Sequence, residues 1–153
     1  MRIIGCGNRA RGDDAAGVLV AERLLELGVE ADIHTGEALA LVEAWEGAEE
    51  VIVVDAVVSG APAGTIHDWD SRDCRQSLPV ASSPASTHGL GVAEAIELSR
   101  SLGRLPQSLR VYGIEGRRFD LGASLSPELR AVLEEVVQRI LAQVSRGRAA
   151  QQT

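Results

Sequence analysis

A chain of 153 residues suits one domain with a single sizeable core, and a formal charge of −7 repels phosphate backbones. The arginines are scattered and aromatic residues are few, so neither a basic stripe nor a stacking platform is present and no nucleic-acid partner is expected. The first apolar run, "IIGC", is too short for a signal-peptide core, and no stretch approaches membrane-spanning length. Cys6 and Cys74 form no multi-cysteine metal pattern, which fits a reduced, cytoplasmic chain with no membrane partner.

Strands and helices alternate along the chain. "RIIGC" reads as a strand and Asp14 to Leu27 as a helix with apolar Val18, Val20, Leu24, Leu25 and Leu27. "ADIHT" is a second strand, followed by a short helix from Leu39 to Trp45. "EVIVVDAV" is an unbroken valine-rich run, as in a parallel strand covered on both faces. "TIHDWD" alternates and reads as an edge or antiparallel strand, with His67 facing solvent. A serine-rich stretch leads to a helix from about His88 to Leu102, closed by Gly103, and "SLRVYGI" is the fifth strand. The last helix has Ser126 as cap, Pro127 at its first position and one apolar face from Leu129 to Val144. Residues 1–145 are expected to form one domain, with 146–153 a frayed tail. The alternation predicts a three-layer α/β/α sandwich around a mostly parallel, twisted five-stranded sheet.

In such sheets ligands sit beyond the carboxyl ends of the strands. Three groups fall there. Asp14 follows the glycine loop "GCGNRARGDDAAG" and starts the first helix; Asp55 directly follows four apolar residues in "VIVVD"; His88 opens a helix in "STHGLG". A helix N-terminus disfavours protonated imidazole, so His88 should be neutral and able to bind metal. Two carboxylates and an imidazole make an open divalent-metal site suited to zinc, nickel or iron rather than calcium. Each has a plainer role: an acid at a helix start is often a cap, Asp55 could serve a turn, and His88 could be an ordinary loop histidine. Either Asp13 or Asp14 could cap, which leaves the other to be explained. The coincidence of three at one end of the sheet favours the site.

Gly5, Gly7 and Ala10 match a dinucleotide fingerprint. Yet Gly12, Asp13 and Asp14 separate that turn from the helix, and two carboxylates would repel a pyrophosphate. The loop is read as holding a cation. Ser82, Ser83 and Ser86 lie near His88 without a nucleophile elbow. Cys6 could be a thiol nucleophile, but a small buried core cysteine is the commoner case. The end of the His34 strand borders the same cleft.

The four blocks "GCGNRARGDDAAG", "VIVVDAVVSGAPAGT", "STHGLGVAEAI" and "VYGIEG…LSPEL" resemble, in order and spacing, the hydrogenase maturation protease family. Its members are endopeptidases that trim the large subunit of nickel–iron hydrogenases. The resemblance implies that Asp14, Asp55 and His88 are the metal ligands and catalytic residues, with Gly7, Asn8, Gly36 and Glu37 at substrate-binding positions. It also implies that the metal is Ni2+ already inserted in the partner, a hydrogenase large-subunit precursor or related metalloprotein precursor. Zn2+ or Cd2+ would substitute in vitro. Where many members carry "DGGT" this chain reads "HTGEALALVEAW", a departure that bears on substrate identity. A non-catalytic nickel-sensing or docking module would use the same trio.

Overall fold

Apolar residues run without a break from Val51 to Val54 because both faces of their strand are covered. The computed structural model describes residues 1–73 and 91–152. Its strands are β1 (Arg2–Cys6), β2 (Asp32–His34), β3 (Glu50–Val57), β4 (Ile66–Asp70) and β5 (Ser108–Glu115). They form one sheet in the order β2-β1-β3-β5-β4. All neighbours pair in parallel except β4, which runs antiparallel to β5 at the edge, as its alternation predicts.

The period of two along each strand sorts the core into halves. Ile4, Cys6, Val51, Val53 and Val111 pack against α2 (Ala38–Trp45) and α3 (Val92–Ser101). Ile3, Ile52, Val54, Tyr112 and Ile114 pack against α1 (Ala16–Glu26) and α4 (Pro127–Gln151). This is the expected three-layer α/β/α sandwich. Each fully buried Leu or Ile contributes roughly 1.5–3 kcal/mol through area removed from water. Trp45 lies fully buried between α2 and α3, and its indole N–H donates to Ser99 Oγ at 2.9 Å, so its one polar atom is satisfied.

Three details of two helices differ from the sequence reading. The first helix does not begin at Asp14: Gly12–Ala15 form a 3-10 turn, and α1 starts at Ala16. Helix α4 runs past residue 145 to Gln151, where a frayed tail was expected. Arg146, Arg148, Ala149, Ala150 and Gln151 are good helix formers, and Gly147 alone is too little to stop 25 residues of helix. Ser126 does occupy the N-cap position, yet its hydroxyl bonds no helix N–H; it donates elsewhere.

Candidate active site

The chain runs from β1 to β2 on one side, then crosses to β3 on the other side of β1. The carboxyl ends of β1 and β3 therefore flank the point where strand order reverses, and the loops leaving them part to form a crevice. Asp14 arrives with the loop after β1, and Asp55 sits near the end of β3.

Close backbone packing shapes the first loop. Gly7 has φ +137°, and a Cβ there would lie 1.9 Å from the Asp14 carbonyl oxygen, so only glycine lets the chain fold back this tightly. The Gly7 N–H donates to His34 O at 2.9 Å, joining the loop to the end of β2. Asn8 Oδ1 accepts the Ala10 N–H at 2.9 Å in a side-chain-closed turn. The Asn8 N–H in turn donates to Asp14 Oδ2 at 2.9 Å and holds that carboxylate.

The two adjacent aspartates part company on this turn. Asp13 is fully buried. Its carboxylate accepts the main-chain N–H groups of Arg117 (2.8 Å), Arg118 (2.9 Å) and Ser126 (2.7 Å), and the Ser126 hydroxyl (2.7 Å). Burial pushes the Asp13 carboxyl up, but bonds from Arg117, Ser126 and Arg118 outweigh it and hold the group below the usual range. Asp13 therefore locks the β5–α4 loop against the first turn. It caps neither α1 nor the cleft, which leaves Asp14, 7% exposed, as the acid available at the strand ends.

Asp55 is half-buried and its Oδ1 accepts the Ala56 N–H at 2.9 Å. Burial first, and then the charge of Asp14, push its carboxyl well above the usual range. The two carboxylates are thus close enough to oppose each other's ionisation. The same two charges act on Cys6, whose thiol is raised chiefly by complete burial, then by Asp55 and Asp14. A thiol so placed stays protonated at neutral pH and is a poor nucleophile.

Gly36 (φ +89°) lies over Cys6, with a Cβ position 3.6 Å from the cysteine Cβ, and so borders the crevice. Glu37 is the N-cap of α2, and its carboxylate accepts the N–H groups of Leu39 and Ala40, each at 3.2 Å. That carboxylate is committed to its helix. His88 lies outside the described residues, as do Cys74, Ser82, Ser83 and Ser86. Among the described residues no group of three His, Cys, Asp or Glu side chains is arranged to hold a metal ion. The described part of the trio is the Asp14–Asp55 pair, an oxygen donor set that suits a divalent cation.

His67 does not face open solvent on its edge strand, as the alternation suggested. Its Nε2 lies 3.1 Å from Glu115 Oε1 and 3.3 Å from Ser59 Oγ. Glu115 ends "VYGIE" at the close of an apolar strand, the same cue that selects Asp55 in "VIVVD". The sequence carries this cue twice, at Asp55 and at Glu115.

The model of the family described as hydrogenase maturation protease matches residues 33–143. The chain belongs to the hydrogenase maturation protease family. It is 27% identical over 147 residues to the Hydrogenase 2 maturation protease of Escherichia coli strain K12, covering 92% of this chain and 87% of that protein. It is 26% identical over 145 residues to the hydrogenase expression/formation protein HupD of Thiocapsa roseopersicina, covering 91% of this chain but only 65% of that relative's length. The solved hydrogenase maturating endopeptidase HybD from E. coli superposes with a TM-score of 0.77 at 26% identity, over 96% of this chain and 94% of that one. No helix among the described residues of this maturation protease family member is long and apolar enough to cross a membrane.

Proposed function

We propose that this chain is the endopeptidase that removes a C-terminal peptide from a nickel-loaded hydrogenase large-subunit precursor, in the cytoplasm. The observation that carries this reading is the pair Asp14 and Asp55, brought together where the sheet's strand order reverses. Burial and the charge of Asp14 both raise the proton affinity of Asp55. Such a pair favours a ligand that brings positive charge.

Nickel is the substrate's cargo in this scheme, and Asp14, Asp55 and His88 are the groups that engage it. Bound between them, a divalent cation supplies the charge that keeps both carboxylates ionised and ties the scissile segment to the crevice. The chain's own groups do the rest. The Asn8 N–H fixes the Asp14 carboxylate in place. Gly7 lets the loop fold back tightly onto Asp14, and Gly36 packs over Cys6. The carboxylate of Asp55 would take the proton of the water that attacks the peptide bond.

Wild type and the Asp14→Asn, Asp55→Asn and His88→Ala variants are incubated with nickel-loaded and metal-free precursor, and intact mass is measured. Wild type should shorten only the nickel-loaded form, and each variant should leave it uncut while keeping native circular dichroism. Full processing by the Asp55 or His88 variant, or efficient cleavage of metal-free precursor by chelator-treated enzyme, would remove the proposed site. Binding of nickel-loaded precursor with no cleavage by wild type would make the chain a docking module.

A further inference from the structure

One buried acid is left unused by this scheme. Glu115 closes β5 and is 1% exposed. It accepts the Ser59 main-chain N–H at 2.8 Å and the Ser59 hydroxyl, and it faces His67 Nε2 at 3.1 Å. Burial pushes the Glu115 carboxyl up, but the Ser59 and His67 bonds hold it below the usual range. An ionised carboxylate only accepts, so the imidazole hydrogen belongs on Nε2, shared between Glu115 and Ser59 Oγ. In the neutral ring the lone pair is then on Nδ1, and no described residue bonds that nitrogen.

The sheet register places this histidine beside the site. Gly113 pairs with Asp55 on one side and with His67 on the other. Trp69, two residues beyond His67, and Val53, two before Asp55, pack into the same half of the core. The period of two therefore puts His67 and Asp55 on one face. Two strand spacings separate their α carbons by about 10 Å, roughly three residues of extended chain. Between them lies Gly113, over which Val57 leans: a Cβ there would be 3.0 Å from Val57 Cγ1. Gly113 itself contributes no side chain to this stretch of floor. The Ser59 bonds alone already tie the exit of β3 to the end of β5. His67 adds to them while its side chain stays 24% exposed.

We propose that His67 is a substrate-binding residue of the crevice, whose Nδ1 accepts a main-chain N–H of the precursor segment laid across the strand ends. Glu115 is the positioning residue that fixes the ring's tautomer and direction. The proposal rests on the processing reading for the identity of the ligand, a polypeptide bound in extended form.

The test compares wild type with His67→Ala, His67→Asn and His67→Gln. Asparagine puts an amide oxygen near the position of Nδ1, whereas glutamine reaches towards that of Nε2. Precursor affinity is measured by interferometry, which needs no cleavage, alongside KM, kcat, cadmium affinity and thermal midpoint. His67→Ala and His67→Gln should weaken Kd and raise KM about three- to tenfold, the scale of one neutral hydrogen bond. His67→Asn should recover part of the loss, with kcat and cadmium affinity unchanged throughout. Equal Kd in all four proteins, a kcat loss without a KM change, or a stability loss lacking the Asn-over-Gln order would overturn it. Wild type that binds but never cuts would end the processing reading and leave the Kd series to decide on His67. Wild type that neither binds nor cuts would end both.

Discussion

Replacing Asp13 tests whether the first of the paired acids is structural. Asp13→Asn keeps the shape but turns an acceptor of four donors into a group that is half donor. At least one main-chain N–H then faces an amide N–H in a site with no exposure to water. A hydrogen bond to a charged group contributes about 1.5–3 kcal/mol, and such losses at one residue are not additive. A net cost of about 3–5 kcal/mol is expected, the range of a broken buried network. For a domain of this length that lowers the thermal midpoint by roughly 10 °C. The sign with pH follows from the depressed carboxyl. Its contribution is in place above the usual carboxylate range and is lost as pH falls through the lower folded-state value. The gap between wild type and Asp13→Asn should therefore be full at pH 7 and close in acid. Circular dichroism melts from pH 7 down to pH 3 measure it. A variant that melts like wild type at pH 7, or that loses cadmium binding with its stability intact, would show that Asp13 belongs to the site instead of the scaffold.

Asp55→Asn should behave in the opposite sense. Its carboxyl is raised in the fold, so native protein binds the proton more tightly and loses stability as pH climbs above the usual carboxylate range. The metal-free variant should melt a few degrees above wild type at pH 7; an equal or lower midpoint contradicts the burial and repulsion ascribed to this acid. Cadmium, measured by calorimetry, should bind wild type detectably and bind Asp14→Asn and Asp55→Asn at least tenfold more weakly, the scale of one tenfold step being about 1.4 kcal/mol. Unchanged affinity in either variant would place the cation elsewhere. Gly17→Ala puts a Cβ 2.3 Å from the Cys6 carbonyl oxygen and 2.4 Å from that of Val54, both main chain. It should cost about 3 kcal/mol or more by forcing α1 off the sheet, and a melt within 2 °C of wild type, about half a kcal/mol on this length of chain, would mean that the helix shifts freely.

The layers and strand types were legible because each rests on a local period. The valine run of β3, the alternation of β4 and the apolar face of α4 each state how many faces are covered. The strand-end rule selected Asp14, in the loop leaving β1, and Asp55, an acid directly after an apolar run. The division of labour between Asp13 and Asp14 was not legible, because the partners of Asp13 lie more than a hundred residues away at Arg117, Arg118 and Ser126. The 3-10 turn was hidden for a related reason: Gly12, at φ +54°, lies under Arg118 O, a contact made only by the folded chain. Glu37 stood at a substrate-binding position by resemblance, and its capping of α2 became visible only with the helix start at Ala38. The contact of Glu115 with His67 was not legible, for want of the register that sets His67 across Gly113 from Asp55.

The rival chemistry in this crevice is a thiol hydrolase built on Cys6, and the packing argues against it. A catalytic cysteine needs a positive or polar neighbourhood that favours thiolate and a path for the substrate. Cys6 has neither: it is fully buried, Gly36 lies over it, and the two charges that act on it are both negative. The same field that disables the thiol defines what the crevice prefers. Asp14 is held by the Asn8 N–H and cannot swing away from Asp55 without giving up that bond. Asp13, one residue earlier, turns its carboxylate into the β5–α4 loop and so spends its charge on main-chain donors, away from the pair. Asp14 and Asp55 thus oppose each other's ionisation at the reversal point of the sheet. A neutral substrate offers nothing to relieve that repulsion, whereas a polypeptide carrying a cation does. Under the proposed reading, selection of a metal-loaded precursor over its metal-free form would follow from the charge of this pair and need no separate sensor.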